Sequence, residues 1–218
     1  MRPRSTYLAD RLASVTLSPM GKFEAGSYDT FTLTITAGDY GVDESGSIKI
    51  LMRLASDLGR PQLENPKEAN YVSVETTADV TLKCSYDAYA STRPWTKTLH
   101  IIVSGGHLSP KDTVTIRFGD RRGGSPGWRL QTFCEEKFEF RTTIDAFSTH
   151  EWAELPDSPT IEIIPGPAHS WKAVLPTMRR IGETFRLGIK AEDVMGNPTD
   201  QTDQTLILAS SAPIAGLP

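Results

Sequence analysis

The feature that most constrains the fold of this chain is the alternation of apolar and polar residues in one short segment after another. Side chains of a β-strand point to opposite faces in turn, so a period of two residues indicates a strand with one buried face. The segments are also rich in Thr, Val, Ile, Phe and Tyr, which favour strands. The apolar positions of these segments are Phe31, Leu33, Ile35; Ile48, Ile50, Met52, Leu54; Val72, Val74; Val80, Leu82, Cys84, Tyr86; Leu99, Ile101, Val103; Val114, Ile116, Phe118; and Phe138, Phe140, Ile144.

Turn-forming stretches separate these segments at fairly even intervals. They read AGDYG, DESGS, VSGGHLSPKD and RRGGSPG, and they supply the positive-φ and fixed-φ positions that turns require. About seven strands spaced this closely predict an all-β chain whose main domain is a β-sandwich or jelly roll. Helical spacing is rare, but Leu8, Leu12 and Val15 follow an i, i+4, i+7 pattern that allows a short N-terminal helix.

A change of composition near residue 155 suggests how the chain divides. We expect an N-terminal arm with the short helix over residues 1–19 and the β-sandwich domain over 20–152. Residues 153–170 contain four prolines between Pro156 and Pro167, which predicts a stiff connector. Residues 171–218 hold too few strands for a complete immunoglobulin domain of about seven. They predict a partial immunoglobulin-like unit that ends in a frayed tail.

Charge, hydropathy and cysteine content narrow the class of protein. The formal net charge is −4, from 23 Lys+Arg and 27 Asp+Glu that are mixed along the chain, so nucleic acid is not an expected partner. No stretch reaches the roughly 18 apolar residues of a membrane span or the apolar core of a signal peptide. This predicts a cytoplasmic protein, or a secreted one if a leader was removed. Cys84 and Cys134 are too few for a disulfide framework, and separate, largely buried thiols are favoured over a pair.

The stretch FGDRRGGSPGWRLQTFCE, residues 118–135, has two interpretations. A glycine-rich backbone beside Arg121, Arg122 or Arg129 could bind an anion, because N–H groups and guanidinium groups converge on oxyanions. The alternative is a long inter-strand loop in which Asp120 pairs with an arginine and Trp128 covers the edge of the core. The second is favoured, since the spacing matches neither a P-loop nor a dinucleotide fingerprint.

Two further loops carry residues that suit a ligand cleft. Arg60 and Arg93 each precede a proline, and Trp95 follows the second pair. Guanidinium groups grip oxygens and indole rings stack on sugars, so Arg60, Trp95, Arg121 and Trp128 would form a cleft if the loops met at one end of the sandwich. Arginines that brace loops and tryptophans that fill the core are the favoured alternative.

No cofactor and no metal is predicted. The carboxylates of AGDYGVDESGS and EDVMGNPTDQTD lack the EF-hand spacing, and turn chemistry accounts for them. The four histidines, His100, His107, His150 and His169, are dispersed, with no zinc-binding spacing. No catalytic motif is complete, so no catalytic residue is assigned.

Five blocks of the sequence together resemble the N-terminal region of a bacterial family of unknown function, family 3604. The similarity spans about residues 26–200. The blocks are AGSYDTFTLTITAGDYGVDESGSIKILMRLASDLGRPQ, RPWTKTLHI, RFGDRRGGSPGWRLQTFCEEKFEFR, ELPDSPTIEIIPGP and RIGETFRLGIKAEDVMGNPTD. Longer members continue into a domain similar to the PHP (polymerase and histidinol phosphatase) metallohydrolases, whose Gly-Asp-Leu-His-type metal motif does not occur here. The resemblance therefore implies a β region that accompanies a hydrolase, with no functional residue to transfer.

The predicted function is binding or scaffolding without catalysis, as a β region attached to or associated with a metal-dependent hydrolase domain that this chain lacks. One alternative is a stand-alone module that binds an anion or a carbohydrate through the arginine and tryptophan loops. The other is a hydrolytic enzyme with an unrecognised site built from Arg60, Arg121, Arg122, Asp57 and Asp120.

Overall fold

Strands dominate the structure, a computed structural model that describes residues 9–211 and 213–216. Strands hold 41% of the residues and helices 3%, so the all-β prediction is confirmed. None of the helices described has the length and apolar character needed to cross a membrane. The elements are α1 Ala9–Leu12, β1 Ala13–Ser18, β2 Lys22–Glu24, β3 Tyr28–Asp29, β4 Phe31–Ala37, β5 Ser47–Met52, β6 Val72–Thr76, β7 Thr81–Asp87, β8 Lys97–Ser104, β9 Thr113–Phe118, β10 Trp128–Arg129, β11 Glu135–Glu139, β12 Arg141–Asp145, β13 Ala153–Glu154, β14 Thr160–Ile164, β15 Ser170–Val174, β16 Gly188–Glu192 and β17 Pro198–Thr199, with a 3₁₀ turn at Arg121–Gly123.

Two larger sheets form the sandwich of the first unit, which spans residues 1–164. One has the strand order β1-β4-β9-β6 and the other β13-β12-β5-β8-β7. All neighbours in both are antiparallel. A smaller sheet has the order β11-β14-β2, in which β14 and β2 run parallel, and β10 pairs with β3. Strands β6 and β7 therefore each end a sheet.

The core of the sandwich comes from the alternation seen in the sequence. In β4, Phe31, Leu33 and Ile35 are buried while the threonines between them are half-buried. The inward residues of β5, β8 and β9 join the same apolar cluster. Each fully buried Leu, Ile or Phe contributes about 2 kcal/mol of hydrophobic stabilisation. The inter-strand register is thereby fixed, because a shift of one residue would turn an apolar row to solvent.

The N-terminal arm and the connector differ from the prediction. Within the described residues the helix covers Ala9–Leu12, and Val15 of the predicted pattern lies in β1, which pairs with β4 in the four-stranded sheet. The rest of the arm, residues 1–8, lies outside the described residues. Within the expected connector, β13 pairs with β12, and β14 pairs with β11 and β2. The boundary between the two units therefore falls after Ile164. The prolines flank β14 without interrupting it, a position that strand ends tolerate.

The second unit, residues 165–218, contains one antiparallel sheet with the order β15-β16-β17. The sequence predicts a strand from Thr184 to Ala191, but β16 begins at Gly188. Asp193 is buried in the turn after β16, where its carboxylate accepts hydrogen bonds from the N–H groups of Gly166, Met195 and Asn197. The predicted frayed tail falls partly on residues 212, 217 and 218, which lie outside the described residues.

The two cysteines do not pair, as the sequence favours. Cys84 is half-buried on β7, whereas Cys134 is exposed. The expectation that both thiols are largely buried is therefore wrong for Cys134, which follows the exposed Phe133 in the segment before β11.

Candidate functional site

The loop between β9 and β10, residues 119–127, is organised around a buried carboxylate. Asp120 is 3% exposed and caps the 3₁₀ turn by accepting a hydrogen bond from the backbone N–H of Arg122. The guanidinium of Arg122 returns to the same carboxylate, with its Nε at 3.0 Å and its Nη2 at 2.6 Å. The hydrogen bond from Arg122, aided by one from Ser73, holds the pKa of Asp120 well below its usual range despite burial.

The same network ties the loop to β6 and β9. Ser73 Oγ donates to Asp120 at 2.6 Å, and Arg122 Nη2 lies 2.7 Å from Glu75. Arg117 on β9 also binds Glu75, at 2.6 Å. Hydrogen bonds from Arg122 and Arg117 lower the pKa of Glu75. Both carboxylates and both arginines are therefore already paired within the chain.

Arg121 and Arg129 brace the loop through backbone carbonyls. Arg121 donates from Nη2 to the carbonyl of Tyr28 at 2.6 Å and from Nε to the carbonyl of Pro126 at 3.0 Å. Arg129 donates to the carbonyls of Leu130, at 3.2 Å, and Asp57. These contacts give the loop the bracing role that was one of its two interpretations.

Trp128 belongs to the core. Its side chain is fully buried, and its Nε1 donates to the carbonyl of Gly59 at 2.7 Å. Its ring lies 4.9 Å from Phe118 and 5.9 Å from Phe140, within a cluster of aromatic rings. The backbone of Trp128 also requires Gly119, which has a φ of +69°, because a Cβ there would approach Trp128 N to 2.2 Å. Its ring face is therefore covered and does not offer a platform for a sugar.

The other residues of the expected cleft, Arg60 and Trp95, do not come together in one site. Each packs against a different set of side chains. The guanidinium of Arg60 lies 5.9 Å from the ring of Tyr86, while Trp95 packs against Arg141 and Arg53, at 5.0 and 6.0 Å. Neither Arg60 nor Arg93 forms an ion pair with any residue that the structure describes.

Asp57, from the alternative enzyme site, accepts hydrogen bonds from the backbone N–H and the hydroxyl of Thr132 at 2.8 and 2.7 Å. Asp57 and Asp120 are therefore each engaged in separate loop contacts. Among the described residues, no group of three or more His, Cys, Asp or Glu is arranged to hold a metal ion.

An open groove, which the sequence does not reveal, lies at the edge of the sandwich where β6 and β7 end their sheets. Its volume is about 590 Å³. Its walls combine the edge of β6, the thiol of Cys84 on β7 and the turn that contains Asp120 and Arg122, and they are lined by Leu63, Pro66, Tyr71, Val72, Ser73, Val74, Glu75, Cys84, Asp120, Arg122 and Gly123. We call this site the β6–β7 groove.

Incomplete burial distinguishes β7 from β8, the strand with which it pairs. Leu82, Cys84 and Tyr86 alternate as inward residues should, yet all three are only half-buried. Their counterparts on β8, such as Ile101, are fully buried. Burial still raises the pKa of the Cys84 thiol to about 11, so the thiol is protonated at neutral pH. Cys84 is the residue of β7 that lines the β6–β7 groove, whose apolar wall also includes Leu63, Val72 and Val74, and whose turn carries paired charges.

No family model, no curated protein and no solved structure matches the chain. The resemblance to family 3604 therefore stays a prediction, and the function is inferred from the geometry of the chain itself.

Proposed function

We propose that this chain is a non-catalytic binding and scaffolding region that accompanies a metal-dependent hydrolase and holds an extended segment of it in the β6–β7 groove. The observation that carries the proposal is the row of inward, half-buried side chains on β7, in which Cys84 lines the groove and Leu82 and Tyr86 flank it along the strand. Apolar groups left half-covered beside a sheet edge gain free energy when a partner covers them.

The backbone of the same edge suits a strand-like partner. Strand β6 pairs with β9 and β7 pairs with β8, and each is the last strand of its sheet. An edge strand has unpaired N–H and C=O groups that can add one more strand from an incoming peptide. On β6 the N–H of Val72 is not one of these groups, because it donates to the carbonyl of Gln62 at 2.8 Å. An extended segment could therefore combine main-chain hydrogen bonds with apolar contacts in the groove.

The charges in and near the groove indicate which charged group the bound segment should carry. The carboxylates of the groove, Asp120 and Glu75, are neutralised by Arg122 and Arg117. Arg60, which lies over the ring of Tyr86, forms no ion pair with a described residue. The favoured partner is thus an extended apolar segment with a carboxylate that meets Arg60. The hydrolase itself is the partner implied by the resemblance of residues 26–200 to family 3604.

The test uses the full chain and a separately purified PHP-like hydrolase domain from a longer family 3604 protein. Saturation with the domain should raise the unfolding temperature of the chain by mass action. Val74→Arg, which places a charge in the groove, should weaken binding about tenfold or more in calorimetry. Met20→Arg, at an exposed apolar residue that does not line the groove, is the matched control and should leave binding unchanged.

Failure of the hydrolase domain to bind the chain would refute the proposal that this domain is the partner. If Val74→Arg and Met20→Arg weaken binding equally, the groove is not the binding site. Metal-dependent turnover by the isolated chain would refute the non-catalytic role and favour the enzyme alternative.

A stand-alone anion or carbohydrate binder is the second candidate, and it is favoured because neither Arg60 nor Arg93 forms an ion pair with another described residue. Sulfate or a neutral sugar should then raise the unfolding temperature, and the double variant Arg60→Ala and Arg93→Ala should abolish the rise. These two positions are better probes than Arg121 and Arg122, whose guanidinium groups hold the loop together.

A further inference from the structure

We propose that the outer face of the five-stranded sheet binds a sugar acid, a ligand with one carboxylate and several hydroxyl groups. The site is a row of four polar side chains on neighbouring strands: Thr143 on β12 faces Lys49 on β5, Lys49 faces His100 on β8, and His100 faces Ser85 on β7. Strands lie about 4.8 Å apart, so the row extends over about 14 Å, and a single sugar acid would cover the part of it around Lys49. We call it the outer polar row.

The side chains of the outer polar row lack polar partners within the described chain. None of the four forms a side-chain hydrogen bond or an ion pair with a described residue, and His100 Nε2 is buried without a hydrogen-bond partner. Buried polar atoms in folded proteins nearly always have partners. Hydroxyl groups of a ligand can serve the accessible side chains of Thr143, Lys49 and Ser85, because each hydroxyl can both donate and accept hydrogen bonds. A ligand reaches the buried Nε2 of His100 only when the side chains that cover it move aside.

Lys49 provides the preference for a negative charge. Its Nζ lies 3.7 Å from the centre of the Trp152 ring, and the side chain is half-buried. The acidic group that raises the pKa of Lys49 is Asp145, whose carboxylate accepts hydrogen bonds from the N–H groups of Thr149 and His150. Burial lowers the pKa of Lys49 more strongly than Asp145 raises it. An incoming carboxylate would give this partly dehydrated ammonium an ionic partner.

Trp152 borders the site, and its indole N–H can report ligand binding. Its ring meets His100 edge-on, with centroids 5.7 Å apart, while it lies under Lys49. The ring is half-buried, so a ligand along the row would contact its accessible part. An aromatic ring beside hydrogen-bonding groups is a common element of sugar recognition. This site uses residues other than those of the β6–β7 groove, so either can exist without the other.

The experiment is a titration of the ¹⁵N-labelled full chain with galacturonate, with galactose and acetate as separate probes. Galacturonate should shift the indole N–H resonance of Trp152, assigned by its loss in Trp152→Phe, and should bind at least tenfold more tightly than galactose or acetate. Tighter binding of the galacturonate trimer would assign the ligand to a polymer, and equal binding would assign it to the free sugar acid.

Lys49→Met keeps the apolar stem over Trp152 but removes the charge, and it should weaken galacturonate binding about tenfold or more, the loss of one charge-assisted hydrogen bond. Lys49→Arg should restore most of the affinity. Lys83→Met is the matched control, because Lys83 is an exposed lysine on the same face of β7, next to the row. Absence of saturable galacturonate binding below about 50 mM, or equal losses in Lys49→Met and Lys83→Met, would overturn the proposal.

Discussion

Replacing Asp120 by Asn should show how strongly one buried carboxylate stabilises the loop between β9 and β10. The variant keeps the shape and one oxygen acceptor but removes the charge that binds Arg122 at 2.6 and 3.0 Å. Hydrogen bonds to charged groups are worth about 1.5–3 kcal/mol each, but solvent screening reduces this, because the Arg122 side chain is 57% exposed. We expect Asp120→Asn to cost about 2 kcal/mol, roughly a 30-fold change in the folding equilibrium.

The dependence on pH follows from the sign of the pKa shift. Because Arg122 and Ser73 lower the pKa of Asp120 in the folded chain, the ionised carboxylate stabilises the fold at every pH above its unfolded pKa of about 3.9. That stabilisation is lost as the pH falls further, towards the folded pKa. The difference between the parent chain and Asp120→Asn should thus be full at pH 7, still full near pH 5, and smaller below about pH 4.

The assay is urea unfolding followed by tryptophan fluorescence, which Trp128 in the nearby core should dominate. Asp39→Asn is the matched control, since Asp39 forms an exposed ion pair with Arg11 at 2.8 Å, and we expect no measurable change. In an Arg122→Met background, the cost of Asp120→Asn should fall to less than half. The same cost in both backgrounds, or a cost that does not change below pH 4, would refute the ion pair as the organiser of the loop.

Three further outcomes are expected. Trp128→Phe should lower the free energy of unfolding, measured in urea, by about 2–3 kcal/mol, because it leaves a cavity and removes the donor to the buried carbonyl of Gly59. A loss below about 1 kcal/mol would contradict this. At pH 8, a thiol reagent should modify the exposed Cys134 rapidly and Cys84 far more slowly, since burial raises the pKa of Cys84 to about 11 and keeps the thiolate fraction small. A Cys134→Ser chain that reacts as fast as the parent chain would contradict this. Asp193→Ala should lower the stability of the second unit by about 2–3 kcal/mol, because three backbone N–H groups lose their acceptor. Hydrogen exchange should become faster at β15 and β16 and stay unchanged at β4. An equal increase at β4 would show that the effect is not local.

Alternation in the sequence predicts the strands of the sandwich well, because burial of one face is a local property. Strand β4 alternates as expected, and β9 pairs with it residue by residue. Pairing partners are not local, which explains the two differences at the ends of the main domain. Strand β1 lies beside β4, and β14 lies between β11 and β2, although Pro159 and Pro165 at its ends resemble a linker in the sequence.

The candidate site was less accessible to sequence reasoning, and the arginines show why. Residue type indicates that Arg121 can bind an oxygen atom, but the oxygen it binds is the carbonyl of Tyr28, distant in sequence. Backbone carbonyls are present at every residue, so no motif marks such a partner. Only Asp120, close to Arg122 in the chain, could be anticipated as a bracing carboxylate. The sequence does not show that Lys49 lies beside His100, because their proximity depends on strand register.

Strand β7 contributes to both proposed sites, and its geometry keeps them separable. Successive side chains of a strand point to opposite faces, so Cys84 lies in the β6–β7 groove while Ser85 lies in the outer polar row. Seven residue pairs with β8, from Thr81 to Asp87, fix this assignment. A slip of one residue would exchange the two faces and expose the apolar row. Substitution at Cys84 should therefore alter partner binding and leave sugar-acid binding intact, whereas substitution at Ser85 should do the reverse.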